Sequence, residues 1–183
     1  MTFALLAVIF SCIPYAETIG LVIFLAASLT DYFDGEIARR RKLITNFGIL
    51  MDPLADKVLI CSLFIAFVEL QQMAAWMVII IVARELAITG LRLLAASKSI
   101  VLAAEGWGKH KTVSQIVAIS AVLIYMSYPQ WGEWSHAVFE VPILGRPWIH
   151  WLAEMAKWLA VLLTLVSGSL YLWRNREMYL KDS

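Results

Sequence analysis

Long apolar runs, broken by short charged or turn-forming segments, organise the whole chain. Six of them, Thr2–Ile13, Thr18–Ile37, Phe47–Leu70, Ala74–Ala96, Thr112–Ser127 and Trp148–Trp173, are continuous enough to predict membrane helices. The first holds 12 residues, too few to cross the ~30 Å of a bilayer core. It has no basic residue ahead of it and no obvious small-residue cleavage site after it, so it reads as the surviving end of a truncated first span rather than as a signal peptide. The pattern predicts an all-α integral membrane protein, a six-helix transmembrane bundle. No internal repeat and no long linker divides it, so residues 1–183 form a single domain.

Composition agrees with that class. Hydrophobic residues make up 61% of the chain and charged ones 16%, with a mean hydropathy of +0.76. Soluble domains carry roughly 45–50% and about 25%. A formal net charge of +1 gives no global basic field, so nucleic acid is excluded as a partner. Cys12 and Cys61 sit in apolar runs without a CxxC or histidine partner and read as buried thiols, not as a disulfide or metal site.

The charges fall in clusters that orient the spans. Arg39, Arg40, Arg41, Lys42, Lys98, Lys109, Lys111, Arg174, Arg176 and Lys181 belong to one set of loops and ends. The opposite loops, around Tyr15, Gln71 and Tyr128–Pro147, contain only Arg146. By the positive-inside rule the basic loops and both termini are cytoplasmic. A bacterial cell (inner) membrane is the expected location, with the mitochondrial inner membrane as the alternative. Tyr128–Pro147, with Trp131, Trp134 and several Pro and Gly residues, reads as an interfacial loop, and His136 and His150 as interfacial histidines.

The polar positions that apolarity does not explain are aspartates. DYFDGEIARRRKLITNFGILMDPLAD, residues 31–56, places Asp31 and Asp34 three apart and Asp52 and Asp56 four apart, on either side of a basic turn. On helices turning about 100° per residue, Asp31, Asp34, Gly35, Ala38 and Arg39 share an arc of roughly 140°, and Gly48, Asp52 and Asp56 one of about 80°. An ionised Asp at the bilayer centre costs ~2.5–3.5 kcal/mol, so four of them must face a polar cavity. With no thiol or imidazole in the set, a hard cation, Mg²⁺ or Mn²⁺, is the expected neutraliser, and two ions are plausible. Such ions keep positions open for a diphosphate or phosphate ester. Gly35 and Ala38 remove side-chain bulk, and Arg39 offers a forked phosphate contact. The bland alternative is that the aspartates only pair with Arg39–Lys42 and Lys57, and Gly35 and Gly48 equally suit close helix packing. Lys57, about 100° from Asp56, reads as a support residue.

Asp31-x2-Asp34-Gly35-x2-Ala38-Arg39-x8-Gly48-x3-Asp52-x3-Asp56 resembles, in full, the signature of the CDP-alcohol phosphotransferase family. Thr45-Asn46-Phe47, Asp52-Pro53-Leu54-Ala55-Asp56-Lys57, Arg84-Glu85, Gly90-Leu91-Arg92 and Gly108-Lys109-His110-Lys111-Thr112 with Gln115 are similar to its bacterial branch that uses glycerol 3-phosphate. The resemblance covers about Ala27 to Gln115. It implies that Asp31, Asp34 and Asp52 hold the metal ions, that Asp56 contacts metal and is the general base, and that Gly35, Ala38, Arg39 and Gly48 receive CDP-diacylglycerol. It implies a six-helix bundle, commonly homodimeric, with its active site open to cytoplasm and membrane lipid. Family members usually begin with a cytoplasmic amphipathic segment, which Met1-Thr2-Phe3-Ala4 does not match.

A phosphorylated acceptor also needs a cationic pocket. Arg92, Lys109 and Lys111, with Arg84 from well inside the fourth run, are the expected glycerol 3-phosphate ligands. Three of them have structural alternatives, Arg84 paired with a buried carboxylate on a neighbouring helix and Lys109 and Lys111 as positive-inside anchors, and Glu85 reads as a structural partner. Rival functions are the same transfer to inositol phosphate, serine or phosphatidylglycerol and, in another class, a divalent-cation transporter. The transporter needs a polar path across the membrane, yet the outer halves of the runs are almost wholly apolar.

Overall fold

The computed structural model describes residues 2–11, 13–41, 46–97 and 107–176. It is mostly helical: α1 (Thr2–Ile9), α2 (Ala16–Arg41), α3 (Asn46–Glu69), α4 (Ala75–Ser97), α5 (Trp107–Ser127), α6 (Glu133–Phe139) and α7 (Trp148–Arg174). All six apolar runs are helices. Their ends differ where polar residues had concealed them, and α5 begins at Trp107 because Gly108–Lys111 are wound into it.

The helices pack around a main apolar core, with a second, smaller cluster of Ile88, Leu91 and Tyr171. Phe24, Leu63, Phe64, Phe67, Ile81, Ile119 and Leu123 are buried in the main core. α5 lies along α7, and α4 also packs on α7. The facing sides of α5 and α7 carry small residues, Ser114, Ala118 and Ala121 against Ala153, Ala156, Ala160, Thr164 and Ser167, all buried. Small side chains let backbones approach, and such stripes drive association where lipid removes the hydrophobic force between helices. Gly20 does the same for α1, since a Cβ there would meet Ile9 Cγ1 at 2.9 Å.

Outward faces are apolar as well. Ile79, Leu86, Val113, Val117, Met155 and Leu162 are exposed, as expected where the solvent is hydrocarbon. Among the described residues two helices, His110–Gln130 and Trp148–Arg174, are long and apolar enough to cross a membrane unaided. The chain is thus mostly helical with two candidate membrane spans, consistent with an all-α membrane protein.

Three connections gather at one end. The α1–α2 turn meets the α5–α6 segment, where Gln130 Oε1 accepts from Tyr15 N at 2.7 Å, Gln130 Nε2 donates to Glu17 at 2.9 Å and Trp131 Nε1 to Thr18 Oγ1 at 2.8 Å. The α3–α4 turn meets α7, where buried Lys157 donates to the Gln72 carbonyl at 2.6 Å. α3 ends in a left-handed cap at Gln71 (φ 57°). There Gln72 N bonds Phe67 O at 2.8 Å and Gln71 N bonds Val68 O at 3.0 Å, the paired bonds of a Schellman closure.

The segment expected to be an irregular loop is more ordered than that. It contains a 3-10 turn at Tyr128–Gln130, α6, and a hairpin of β1 (Pro142–Ile143) and β2 (Arg146–Pro147), paired Pro142 to Pro147 and Ile143 to Arg146. A seven-residue helix does not persist on propensity alone. Aromatic contacts hold it: Trp131 stacks on Trp134 at 6.0 Å, and Phe139 on Trp148 at 5.8 Å. Cys61 is a free, half-buried thiol, while Cys12 lies outside the described residues.

Candidate active site

Asp31, Asp34, Gly35, Ala38 and Arg39 fall in the last turns of α2, and Gly48, Asp52 and Asp56 in the first turns of α3. Because both stretches are helical, the three- and four-residue spacings place each carboxylate pair about one turn apart on one side of its helix. The side chains at 31–56, the intervening turn at 42–45 and the segment 98–106 with Lys98 lie outside the described residues. So does the side chain of Lys109, whose backbone belongs to the first turn of α5.

Next to that segment the side chains are described, and they form a buried charged cluster. Glu85 of α4 is 2% exposed, and Lys111 of α5 is 5% exposed. Lys111 Nζ donates to Glu85 Oε1. The same oxygen accepts from Arg84 Nη1 at 3.5 Å and from Gln115 Nε2 at 3.4 Å. Gln115 reaches on to Thr164 Oγ1 at 3.3 Å, and Arg84 Nη2 to Ser167 Oγ at 3.3 Å, so α4, α5 and α7 are joined through one carboxylate. Lys57 of α3, directly after Asp56, donates to Thr89 Oγ1, which itself donates to the Glu85 carbonyl at 2.7 Å.

The expected acceptor residues are thus only partly brought together. Arg84 and Lys111 share Glu85. Arg92 lies apart on α4, with its guanidinium 5.4 Å over the Tyr171 ring and its Nε 3.3 Å from the Tyr171 hydroxyl. The structural roles weighed for Arg84 and Glu85 are present, with one difference: the carboxylate beside Arg84 is its own chain neighbour. Lys111 is no surface anchor, because its ammonium is buried against Glu85. Arg84 and Lys111 both pair with Glu85, and Lys57 reaches the same cluster through Thr89, so three cationic side chains meet here.

Sequence reasoning missed Thr89, Thr164, Ser167 and Tyr171. The signal was present: Thr164, Ser167, Gly168 and Tyr171 recur at helical spacing in an otherwise apolar run and form one buried stripe of α7. Gly168 belongs to it for steric reasons. A Cβ there would lie 2.8 Å from Arg84 Cγ, in mid-stem where the side chain has little freedom to yield. Gly168→Ala is therefore expected to cost about 1–3 kcal/mol of stability and to lift Arg84 off Ser167. Its unfolding midpoint in detergent checks this, and a midpoint equal to wild type would show that Arg84 repacks freely.

The comparisons with known proteins point to one family. The sequence model of the family described as CDP-alcohol phosphatidyltransferase matches residues 1–166. A Bacillus subtilis protein named CDP-diacylglycerol–glycerol-3-phosphate 3-phosphatidyltransferase is 42% identical over 165 residues, covering 90% of this chain and 77% of its own length. Proteins of the same name from Mycoplasma pneumoniae and Rickettsia bellii are 36% and 30% identical, over 84% and 86% of this chain and 64% and 79% of their own lengths. With the family model spanning most of the chain and the aspartate segment on two helices as its spacing requires, the protein belongs to the CDP-alcohol phosphatidyltransferase family.

Proposed function

We propose that this protein transfers the phosphatidyl group of CDP-diacylglycerol to the hydroxyl of sn-glycerol 3-phosphate, giving phosphatidylglycerophosphate and CMP. The observation that carries the reading is the aspartate signature on two successive helices beside a buried cluster that gathers Lys57, Arg84 and Lys111. The names of the relatives support the acceptor. The reading takes residues 1–183 as one domain, a six-helix bundle and homodimer in the bacterial inner membrane, with termini and active site on the cytoplasmic side.

The donor set is four carboxylates without thiol or imidazole, which fits hard divalent cations, Mg²⁺ or Mn²⁺. Asp31, Asp34 and Asp52 would hold two such ions, with Asp56 contributing at the edge of the set. When bound, the ions neutralise the diphosphate and the charge on departing CMP. The protein's own groups do the rest. Gly35, Ala38 and Gly48 leave room for the nucleotide, and Arg39 forks onto phosphate oxygens. Arg84, Arg92, Lys109 and Lys111 hold the phosphate of the acceptor. Asp56 takes the proton of the attacking hydroxyl as the new O–P bond forms at the phosphorus bearing diacylglycerol and the bond to CMP breaks. No covalent enzyme intermediate is needed.

Full-length protein supplied with CDP-diacylglycerol and, separately, glycerol 3-phosphate, inositol phosphate, serine and phosphatidylglycerol is expected to release CMP with the first alone. Release with another acceptor instead would reassign the substrate. Lys111→Ala is expected to raise the Michaelis constant for glycerol 3-phosphate at least tenfold and that for the lipid by less than threefold (order-of-magnitude expectations). Equal effects on both would count against a separate phosphate pocket.

A further inference from the structure

We propose that a groove along α7, at the end of the molecule where α2 begins and α3 ends, is a binding site for an anionic diacyl phospholipid whose phosphate sits on Arg146 and His150. The groove has a volume of about 870 Å³, and its mouth is formed by Arg146, His150 and Glu154. Its wall is Trp151, Met155, Trp158, Leu159 and Leu162.

The mouth is built for one anion. Arginine has donors only, so Arg146 Nη1 donates to His150 Nε2 at 3.0 Å, which puts the imidazole proton on Nδ1 and makes the ring a further donor. Glu154 is held by Lys157 at 2.6 Å, so its charge is already matched. The net charge at the mouth is that of Arg146, one positive, the complement of one phosphodiester. Arg146 is also the only basic residue in the connections at this end.

Its position is fixed by the hairpin. Leu144 and Gly145 both have positive φ, 52° and 79°, the arrangement of a two-residue type I′ turn. A leucine in the left-handed region costs of order 1 kcal/mol. The turn persists because Trp151 Nε1 donates to Ile143 O at 2.8 Å and Trp148 N to Val141 O at 3.1 Å, tying the hairpin down onto α7.

Below the mouth the groove is wholly apolar. From His150 to Leu162 the helix rises about 18 Å at ~1.5 Å per residue, a little more than the ~15 Å hydrocarbon depth of one leaflet. A free phosphate would leave that length uncovered, whereas acyl chains fill it. A second copy of the chain fits less well. A two-fold axis along the membrane normal sets equal depths against each other, so the two Arg146 charges would enter the contact at one depth with no added anion to match them.

The test is native mass spectrometry of the full chain in mild detergent, titrated with dioleoyl phosphatidylglycerol. Wild type is expected to retain one more lipid per chain than Arg146→Ala, whose apparent affinity falls about tenfold. Arg146→Lys, which keeps the charge, should stay within about threefold. CMP release by Arg146→Ala equal to wild type, or an unchanged unfolding midpoint if wild type releases none, shows that the variant is folded. Equal lipid retention by wild type and Arg146→Ala overturns the proposal. So does displacement of the lipid by millimolar inorganic phosphate, or a dimer that Arg146→Ala converts to monomer without change in bound lipid.

Discussion

Asp56→Asn is expected to slow CMP release by about a thousandfold, within the ~10²–10⁴ that a positioned general base contributes, while CDP-diacylglycerol binding stays within a few-fold of wild type. Asparagine keeps the size of the side chain and its place on α3 but accepts no proton at neutral pH. The acceptor hydroxyl then has to lose its proton to water during attack. Single-turnover CMP release, measured beside equilibrium binding of the lipid nucleotide, separates the two roles given to this residue. Turnover near wild type would remove Asp56 as the base. Binding that falls in parallel with turnover would make it a metal ligand first.

Glu85→Leu is expected to destabilise the protein by about 3–5 kcal/mol, the cost of stranding buried charge when one member of an ion pair is removed. Glu85 Oε1 is the common acceptor for Lys111, Arg84 and Gln115. Without it the buried Lys111 ammonium keeps its desolvation cost and loses its counter-charge. Part of that cost is recovered when both partners go: Glu85→Leu combined with Lys111→Met should be more stable than Glu85→Leu alone, because the Lys111 charge that the single variant strands is removed. Unfolding midpoints of the single and double variants decide the matter. A double variant no more stable than the single one would mean that Glu85 acts through Arg84 rather than through Lys111.

Much of the fold was legible because hydropathy is the dominant signal in a membrane chain. The runs that predicted six helices are helices, and the connections at Tyr15, Gln71 and Tyr128–Pro147, grouped because Arg146 is their one Lys or Arg, share one end through Gln130, Trp131 and Lys157. What hydropathy discounts is a polar residue that faces inward. Gly108–Lys111 therefore looked like loop but belong to α5, where Lys111 turns to Glu85. Nor could local pattern show α6 and the hairpin, which depend on contacts such as Phe139 on Trp148.

The candidate site divides in the same way. The aspartate stripes were readable because their spacing is local to two helices, and helices they are. The partners of Arg84 and Lys111 were not, because Glu85 and Lys111 are 26 residues apart and Arg84 and Ser167 83 apart. Pairings of that kind follow from which helices become neighbours, and a chain of uniformly apolar helices leaves that choice to small residues such as Gly168.

The bonds at the α2-beginning end have a mechanical consequence. Gln130 and Trp131 lock α5 to α2, and Lys157 locks α7 to the α3–α4 turn. Lys57 on Thr89, and Glu85 between α4, α5 and α7, tie the other end, so the apolar core between the two sets of polar bonds is held from both sides against sliding of one helix past another.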